Sequence, residues 1–140
     1  MIIAVFDVDN TLLRGNSLLL AARKSNSLFQ LIYTSINFIP YLIAWKIKLI
    51  NTKRIKELFI DKFQICRKYN QDLSHNSMDS LTIDLERIIN IKALKRLNMH
   101  KEKGDIVILC SASPDMILAP LAKKLNVDLI CTNLSKIENK

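Results

Sequence analysis

The chain has 140 residues, of which 49% are apolar, and a formal net charge of +8 at pH 7. This length and apolar fraction suffice for one compact core, or for a small core with an insert, and they exclude disorder over most of the chain. The positive charge favours anionic partners such as phosphorylated metabolites, acidic lipid surfaces or nucleic acid. No arginine-rich helix interleaved with aromatic residues is present, so we expect no nucleic-acid partner.

The first stretch, residues 1–6, is apolar and rich in β-branched side chains, which predicts a strand buried on both faces. Asp7 and Asp9 follow it directly, together with Asn10 and Thr11. Carboxylates at the carboxyl end of a buried strand lie where open α/β sheets bind their ligands. Two carboxylates at i and i+2 share a face and repel each other unless a cation compensates, and Mg²⁺ prefers such oxygen ligands.

This pair of carboxylates indicates phosphoryl chemistry. A metal-screened Asp7 can attack a phosphoryl group and form an aspartyl-phosphate, while Asp9 protonates the leaving oxygen and later activates water. The alternative is an ordinary strand that ends in a polar turn, because Asp and Asn are common turn formers.

The segment after this turn is predicted to be helical. A helix begins near Ser17, whose hydroxyl can cap it. Residues 28–45 have no charged side chain over eighteen positions, which approaches the length of a membrane span. Two buried helices broken at Pro40 are favoured over membrane contact, because Gln, Asn and Pro oppose insertion. Residues 45–68 predict an amphipathic helix with a basic outer face, for which solvation is the simpler explanation.

A polar loop and a long helix are predicted next. Residues 69–80 are polar and predict the loop, which contains His75. Residues 81–103 have helical apolar periodicity and predict one helix, stopped by Gly104. His75 and His100 have no partners at ligand spacing, so we expect both on the surface.

Two more buried strands are predicted, over residues 106–110 and 128–131. Ser111 lies at the tip of the first of them, just ahead of a helix N-terminus, which is a suitable place to bind a phosphoryl oxygen. Ser113 is predicted to cap that helix, which continues through Pro120 to about residue 125.

The cysteine pattern indicates a reducing compartment. Cys66, Cys110 and Cys131 follow no metal-binding spacing, and the last two close predicted buried strands as small hydrophobes. The N-terminus lacks the basic start of a signal peptide, and its apolar run ends in aspartates. We therefore expect a cytoplasmic protein.

Residues 5–12 resemble the first motif of the haloacid dehalogenase-like (HAD) hydrolases: an apolar run, then Asp-x-Asp-x-Thr, then two leucines. The resemblance implies that Asp7 is the nucleophile and a ligand of Mg²⁺. It implies that Asp9 is the general acid/base and that its backbone carbonyl also binds the metal. Thr11 would steady the loop at the substrate-binding site.

Residues 108–114 are similar to the second HAD motif, which implies that Ser111 binds the substrate's phosphoryl group. The following residues are similar to the phosphoserine-phosphatase-like branch (subfamily IB), in which a helical cap is inserted between the first two motifs. The implied fold is α/β, a Rossmann-like parallel sheet of at least three strands. Its core would comprise residues 1–16 and 91–140, and the cap residues 17–90.

Within the expected cap, residues 38–57 resemble a subgroup that includes phosphatases of phosphatidylglycerophosphate type. Asn16 departs from the family pattern, which implies an acidic residue there.

Two further motifs of such phosphatases are not recognisable. They are a lysine that neutralises the phosphoaspartate and an acidic strand end that completes the Mg²⁺ site. After Asp128 the one acidic residue is Glu138, and Lys136 and Lys140 lack the surrounding motif. In the family the acidic strand pairs with the Asp7 strand. We therefore expect an apolar edge there that invites self-association or a partner chain.

The sequence thus predicts a Mg²⁺-dependent phosphomonoester hydrolase that acts on a small phosphorylated substrate, an anionic metabolite or a lipid phosphate. Contact with an anionic membrane surface is a further expectation. The alternatives are a truncated remnant with impaired catalysis and one piece of a split enzyme whose partner supplies the two missing motifs.

Overall fold

The computed structural model describes residues 1–65 and 75–133, with the backbone alone at 75–78. Within these ranges the chain forms three strands and six helices. In chain order they are β1 (Ile3–Asp7), α1 (Ser17–Ser25), α2 (Leu28–Lys46), α3 (Thr52–Lys62), α4 (His75–Arg87), α5 (Ile91–Glu102), β2 (Ile106–Pro114), α6 (Asp115–Leu125) and β3 (Asp128–Thr132).

The three strands form one parallel sheet in the order β1-β2-β3. Val5 pairs with Ile108 and Asp7 with Cys110, so the carboxyl ends of β1 and β2 lie side by side. Parallel neighbours require crossover connections, which the helices between them provide. The predicted α/β fold with a parallel sheet of at least three strands is confirmed.

The core lies against the central strand. Val107 and Leu109 of β2 are buried, and α6 contributes a buried face of Ile117, Leu118 and Leu121. The prediction that the first two strands are buried on both faces is wrong. Ile106 and Cys110 are exposed, as are Ile3 (63%) and Val5 (61%) of β1. Strand residues alternate between faces, and within the described ranges nothing covers the face of β1 that carries Ile3 and Val5.

The prediction of two buried helices broken at Pro40 is also wrong. α2 is a single helix that contains Pro40, and most of its side chains are exposed. It begins with a capping box in which Ser27 and Gln30 bond reciprocally. A proline costs about 3 kcal/mol inside a helix. Packing of the neighbouring Phe38 on α3 offsets part of that cost.

Two helix boundaries differ from the predictions. Residues 75–80 belong to α4, whereas a loop was expected, and residues 69–74 lie outside the described ranges. The single helix expected over 81–103 is broken between α4 and α5, where the Asn90 side chain accepts a hydrogen bond from the Lys92 amide and caps α5. A backbone bridge between Leu13 and Ile89 also holds this break.

The chain divides into two compact units. The sheet unit comprises Met1–Leu20 and Met78–Lys140, and the helical unit comprises Ala21–Ser77. The expected division into a core of residues 1–16 and 91–140 and a cap of residues 17–90 over the site stays a prediction.

Candidate active site

The turn after β1 determines how the two aspartates are presented. Val8–Leu12 form a tight turn in which the Leu13 amide donates to the Val8 carbonyl at 2.8 Å, and Asn10 adopts a left-handed conformation with φ of 62°. Asn tolerates this region better than most residues. The first and last residues of the turn are buried. The turn is thereby anchored at both ends, with its polar side chains at the carboxyl end of the sheet.

Asp7 is exposed at the last position of β1. Thr11 donates its hydroxyl proton to Oδ2 of Asp7 at 2.6 Å. Among residues 1–65 and 75–133, no partner contacts the second carboxylate oxygen, Oδ1. The threonine therefore fixes the orientation of the carboxylate and leaves one oxygen open towards solvent, as a nucleophile or metal ligand requires.

Asp9 is partly buried and receives three hydrogen bonds. The Ser17 amide at the start of α1 donates to Oδ1 at 2.6 Å, and the hydroxyls of Ser111 and Ser113 donate to Oδ2 at 3.0 and 2.7 Å. The Ser17 hydroxyl also donates to that of Ser113 at 2.9 Å. A carboxylate at a helix N-terminus is stabilised by the helix dipole. These bonds hold the Asp9 side chain in one orientation.

The serines come from β2, which extends beyond residue 110 to Pro114 with an irregularity in its pairing with β3. Ser111 and Ser113 lie two apart on this strand and therefore share a face. The prediction that Ser113 caps the next helix is wrong, because α6 has Pro114 at its N-cap and no side-chain cap bond. Ser113 bonds to Asp9 instead, and its amide donates to the Ser111 hydroxyl at 3.0 Å.

Ser113 and Ser17 are the site residues that the sequence reasoning missed. The Ser-x-Ser spacing at a strand end was the available signal for Ser113, because alternate strand residues point the same way. No comparable signal marked Ser17, whose amide reaches Asp9 through the path of the turn. The hydroxyl of Ser17 does not cap α1, since the Asn16 side chain accepts from the Leu19 amide at 3.0 Å. Asn16 thus has a capping role at the position where the family pattern implies an acidic residue.

The donor set suits Mg²⁺ in part. Oxygen ligands are what Mg²⁺ prefers, and it commonly uses one or two carboxylates and keeps several waters. Asp7 can supply a carboxylate oxygen and Asp9 its backbone carbonyl, because both side-chain oxygens of Asp9 already accept hydrogen bonds. In the described part of the chain no group of three His, Cys, Asp or Glu residues is placed to hold a metal. The residues present therefore fit a Mg²⁺ ion that retains water.

Among the lysines that the structure describes, none makes a hydrogen bond or an ion pair with Asp7 or Asp9. Lys124 donates to Glu86 at 2.8 Å, in an ion pair between α6 and α4. Lys101 donates to the carbonyl of Leu125 at the far end of α6. Lys136, Lys140 and Glu138 lie outside the described residues.

Among the described side chains, Cys110, Cys131 and His100 have no hydrogen bond to Asp7 or Asp9, while Cys66 and the side chain of His75 lie outside the described residues. Burial, with smaller effects of Asp115 and Cys110, raises the pKa of the Cys131 thiol and keeps it in its unreactive neutral form. His100 is half-buried and pairs through Nδ1 with Asp105 at 3.0 Å, where the sequence predicted a surface residue. Its hydrogen bond is the main cause that lowers the pKa of Asp105, followed by the hydrogen bond from the Ile2 amide.

The family model for haloacid dehalogenase-like hydrolases matches residues 4–140. The chain belongs to this family. No curated protein sequence matches it. The assignment agrees with the parallel sheet and with the two aspartates, one at the end of its first strand and one in the turn that follows.

Solved structures share this HAD fold. A Bordetella pertussis Tohama I protein of unknown function superposes with a TM-score of 0.66 at 17% identity, covering 99% of this chain and 63% of that one. A phosphoserine phosphohydrolase-like protein from Francisella tularensis gives 0.60 at 16% identity, covering 94% and 58%. A phosphoserine phosphatase, as an analogue of its phospho-aspartyl intermediate, gives 0.51 at 16% identity, covering 96% and 58%. The chain thus spans 58–63% of the length of these structures.

Proposed function

We propose that this HAD-family protein is a phosphomonoester hydrolase in which Asp7 is the nucleophile. The observation that carries the proposal is the contrast between the two aspartates. Asp7 is exposed with one oxygen open, whereas Asp9 is held by three hydrogen bonds from α1 and β2. A nucleophile needs an accessible oxygen, and a general acid/base needs a fixed position next to it.

Each residue of the site has a distinct role in this proposal. Oδ1 of Asp7 attacks phosphorus, the bond from phosphorus to the leaving oxygen breaks, and protonated Asp9 gives that oxygen its proton. Water then attacks the aspartyl-phosphate and gives a proton back to Asp9, which breaks the Asp7–phosphorus bond and releases inorganic phosphate. Thr11 keeps the Asp7 carboxylate turned towards the substrate through its 2.6 Å hydrogen bond. The Ser111 hydroxyl rotates from Asp9 to a phosphoryl oxygen when substrate binds. Ser113 stays on Asp9 and keeps it in place.

Mg²⁺ is the proposed cofactor, held by the Asp7 carboxylate and the Asp9 backbone carbonyl. When bound, it neutralises negative charge on the phosphoryl group and on the two aspartates. The substrate class is a small phosphorylated molecule, which the net charge of +8 favours. We place the protein in the cytoplasm, where its thiols at Cys110 and Cys131 would stay reduced.

A second candidate is a catalytically impaired remnant, or one piece of a split enzyme. It is favoured by the lack of a third metal-binding side chain in the described ranges and by the position of β1 at the edge of the described sheet. Removing a group that stabilises transition-state charge costs about 3–4 kcal/mol of barrier. A partner that pairs with β1 would supply both the acidic residue and the lysine.

The test is phosphate release from p-nitrophenyl phosphate by the purified chain, with Mg²⁺ and with EDTA. We expect slow, Mg²⁺-dependent turnover that Asp7→Asn abolishes. Asp128→Asn is the matched control, because it removes the same charge within the sheet unit, from an exposed residue at the start of β3, whereas Asp7 lies at the end of β1. Unchanged turnover in the Asp7→Asn variant would overturn the assignment. If Mg²⁺ binds with dependence on Asp7 but no phosphate is released, the second candidate holds.

A further inference from the structure

The outward side of α2 carries a continuous apolar stripe. Its members recur every three or four residues, so they share one face of the helix. We call this set the outer stripe: Phe29, Ile32, Tyr33, Ile36, Ile39 and Ile43. Phe29 is 83% exposed and Ile36 is 61% exposed. Single exposed apolar residues are common on protein surfaces, but a continuous apolar stripe is unusual and marks an interaction surface.

The opposite face of α2 packs on α3 through Phe38. Phe38 is only 5% exposed. The centroid of its ring lies 5.5 Å from that of Phe59 on α3 and 5.9 Å from that of Phe63, which directly follows α3. α2 therefore has two apolar faces and uses one of them to pack within the helical unit. The outer stripe remains for a second, apolar surface.

The charges around α2 identify the kind of surface. Residues 10–56 include eight lysines and arginines and no aspartate or glutamate. None of these cations lies within residues 28–45. Arg23 and Lys24 precede the helix, and Lys46 and Lys48 end it. An apolar stripe with cations at both ends and no acidic residue complements a partner that has an apolar interior covered by an anionic surface layer.

We propose that the outer stripe docks α2 onto an anionic lipid bilayer, with the helix axis parallel to the membrane plane. The stripe enters the boundary between headgroups and acyl chains, and Lys46 and Lys48 contact lipid phosphates. Tyr33 in the stripe and the half-exposed Trp45 suit the headgroup level, because their rings are apolar with a polar tip. The inference does not depend on the proposed phosphatase activity.

The contacts of α2 favour this in-plane orientation over a span. Length and composition alone would allow α2 to cross a bilayer. Crossing would either separate Phe38 from the α3 aromatic rings or draw the charged side chains of α3 into hydrocarbon, which is costly. Docking in the plane preserves the packing on α3 and buries the outer stripe.

The experiment is co-sedimentation of the full chain with vesicles of phosphatidylcholine alone or with about 30% phosphatidylglycerol, a content that gives a strongly anionic surface. We expect binding to the anionic vesicles. Ile36→Asn should weaken it about tenfold, because one buried apolar side chain is lost. Ile91→Asn is the matched control, since Ile91 is 60% exposed but belongs to α5 of the sheet unit and not to the stripe. It should leave binding unchanged.

A second pair of variants tests the charges. Lys46→Glu with Lys48→Glu should weaken binding about thirtyfold or more, from about 1 kcal/mol per cation lost. Lys92→Glu with Lys95→Glu on α5 is the control with the same charge change. Circular dichroism checks that all variants fold. Lack of binding to anionic vesicles, or equal effects of the stripe and control variants, would overturn the proposal.

The depth of α2 in the bilayer distinguishes in-plane docking from a membrane span. Trp45 is the sole tryptophan, so Trp45→Phe with Ile36→Trp places one fluorophore at the middle of α2. Lipids brominated near the headgroup should quench it more than lipids brominated near the chain ends. The reverse order would show a span and overturn the in-plane docking. A different result would also overturn the proposal: a wild-type chain that is a dimer in solution and does not bind vesicles, and an Ile36→Asn variant that is a monomer. The stripe would then bind a second copy of the chain.

Discussion

Leu109 in the sheet unit has no exposed surface, whereas Ile36 in the helical unit is equally apolar and mostly exposed. Both lie in long apolar runs of the sequence. Leu109 belongs to the central strand, which is flanked by β1 and β3 and contacted by α5 and α6. Ile36 lies on the side of α2 opposite to α3. An apolar run therefore predicts a regular element, whereas the burial of that element depends on what the rest of the chain places against it.

The two units also differ in how they use polar side chains. In the sheet unit, polar groups converge: Asp9 accepts hydrogen bonds from Ser17 at the start of α1 and from Ser111 and Ser113 on β2. In the helical unit the polar contacts are mostly local, such as the caps formed by Ser27 and Asn51. Convergent polar groups at a strand end form a chemical site, whereas local caps only stabilise helices.

Removing one apolar side chain from each unit should give the largest difference in stability between the two units. Leu109→Ala should lower the free energy of unfolding by about 2–5 kcal/mol, because it leaves a cavity beside the central strand. Ile43→Ala on the outer stripe should change it by less than about 0.5 kcal/mol. Urea denaturation followed by circular dichroism measures both. Similar losses for the two variants would show that α2 is covered in solution.

Much of the fold could be predicted because it is encoded locally. The apolar runs at residues 106–110 and 128–131 predicted β2 and β3, and the helix through Pro120 is present as α6. The exposure of β1 and of α2 could not be predicted, since it depends on which elements cover them. The break between α4 and α5 was missed because Asn90 and its contact with residue 12 act against an otherwise continuous helical periodicity.

In the site, too, the locally encoded features could be predicted and the long-range contacts could not. The positions of Asp7 and Asp9 after a strand followed from six apolar residues and two acidic ones. The contact between Asp9 and Ser113 joins residues 104 apart, so no local pattern contains it. Local propensity favours Ser113 as a helix cap, whereas in the fold its hydroxyl donates to the partly buried carboxylate of Asp9.

Two buried serines extend the comparison to polar groups. Ser113→Ala removes a hydrogen bond to the Asp9 carboxylate and should cost about 1.5–3 kcal/mol of unfolding free energy, as such bonds to charged groups do. Ser25 in the helical unit is also buried, but its hydroxyl has no partner within the described residues. Ser25→Ala should therefore be neutral or stabilising. A larger loss for Ser25→Ala than for Ser113→Ala would contradict the assigned role of Ser113.

The smallest expected effect is a pH dependence at the opposite end of the sheet from Asp7. Asp105 accepts from the Ile2 amide at 3.0 Å and pairs with His100, so its pKa is lower in the folded chain than the ordinary 3.8. The folded chain then binds fewer protons than the unfolded chain as pH falls below about this value. The resulting stabilisation is present above pH 3.8 and is lost as pH falls through the folded pKa.

Asp105→Asn removes this titrating group, so the variant should be less stable than the wild type at pH 7 and closer to it near pH 2. Urea midpoints at the two pH values measure the difference in stability between the variant and the wild type. The titration of the other carboxylates is common to both proteins and cancels in this difference. The His100→Ala background should shrink this pH-dependent difference, because His100 makes the largest contribution to the lowered pKa of Asp105. A stability difference that stays constant from pH 7 to pH 2 would show that these contacts do not favour the charged form of Asp105.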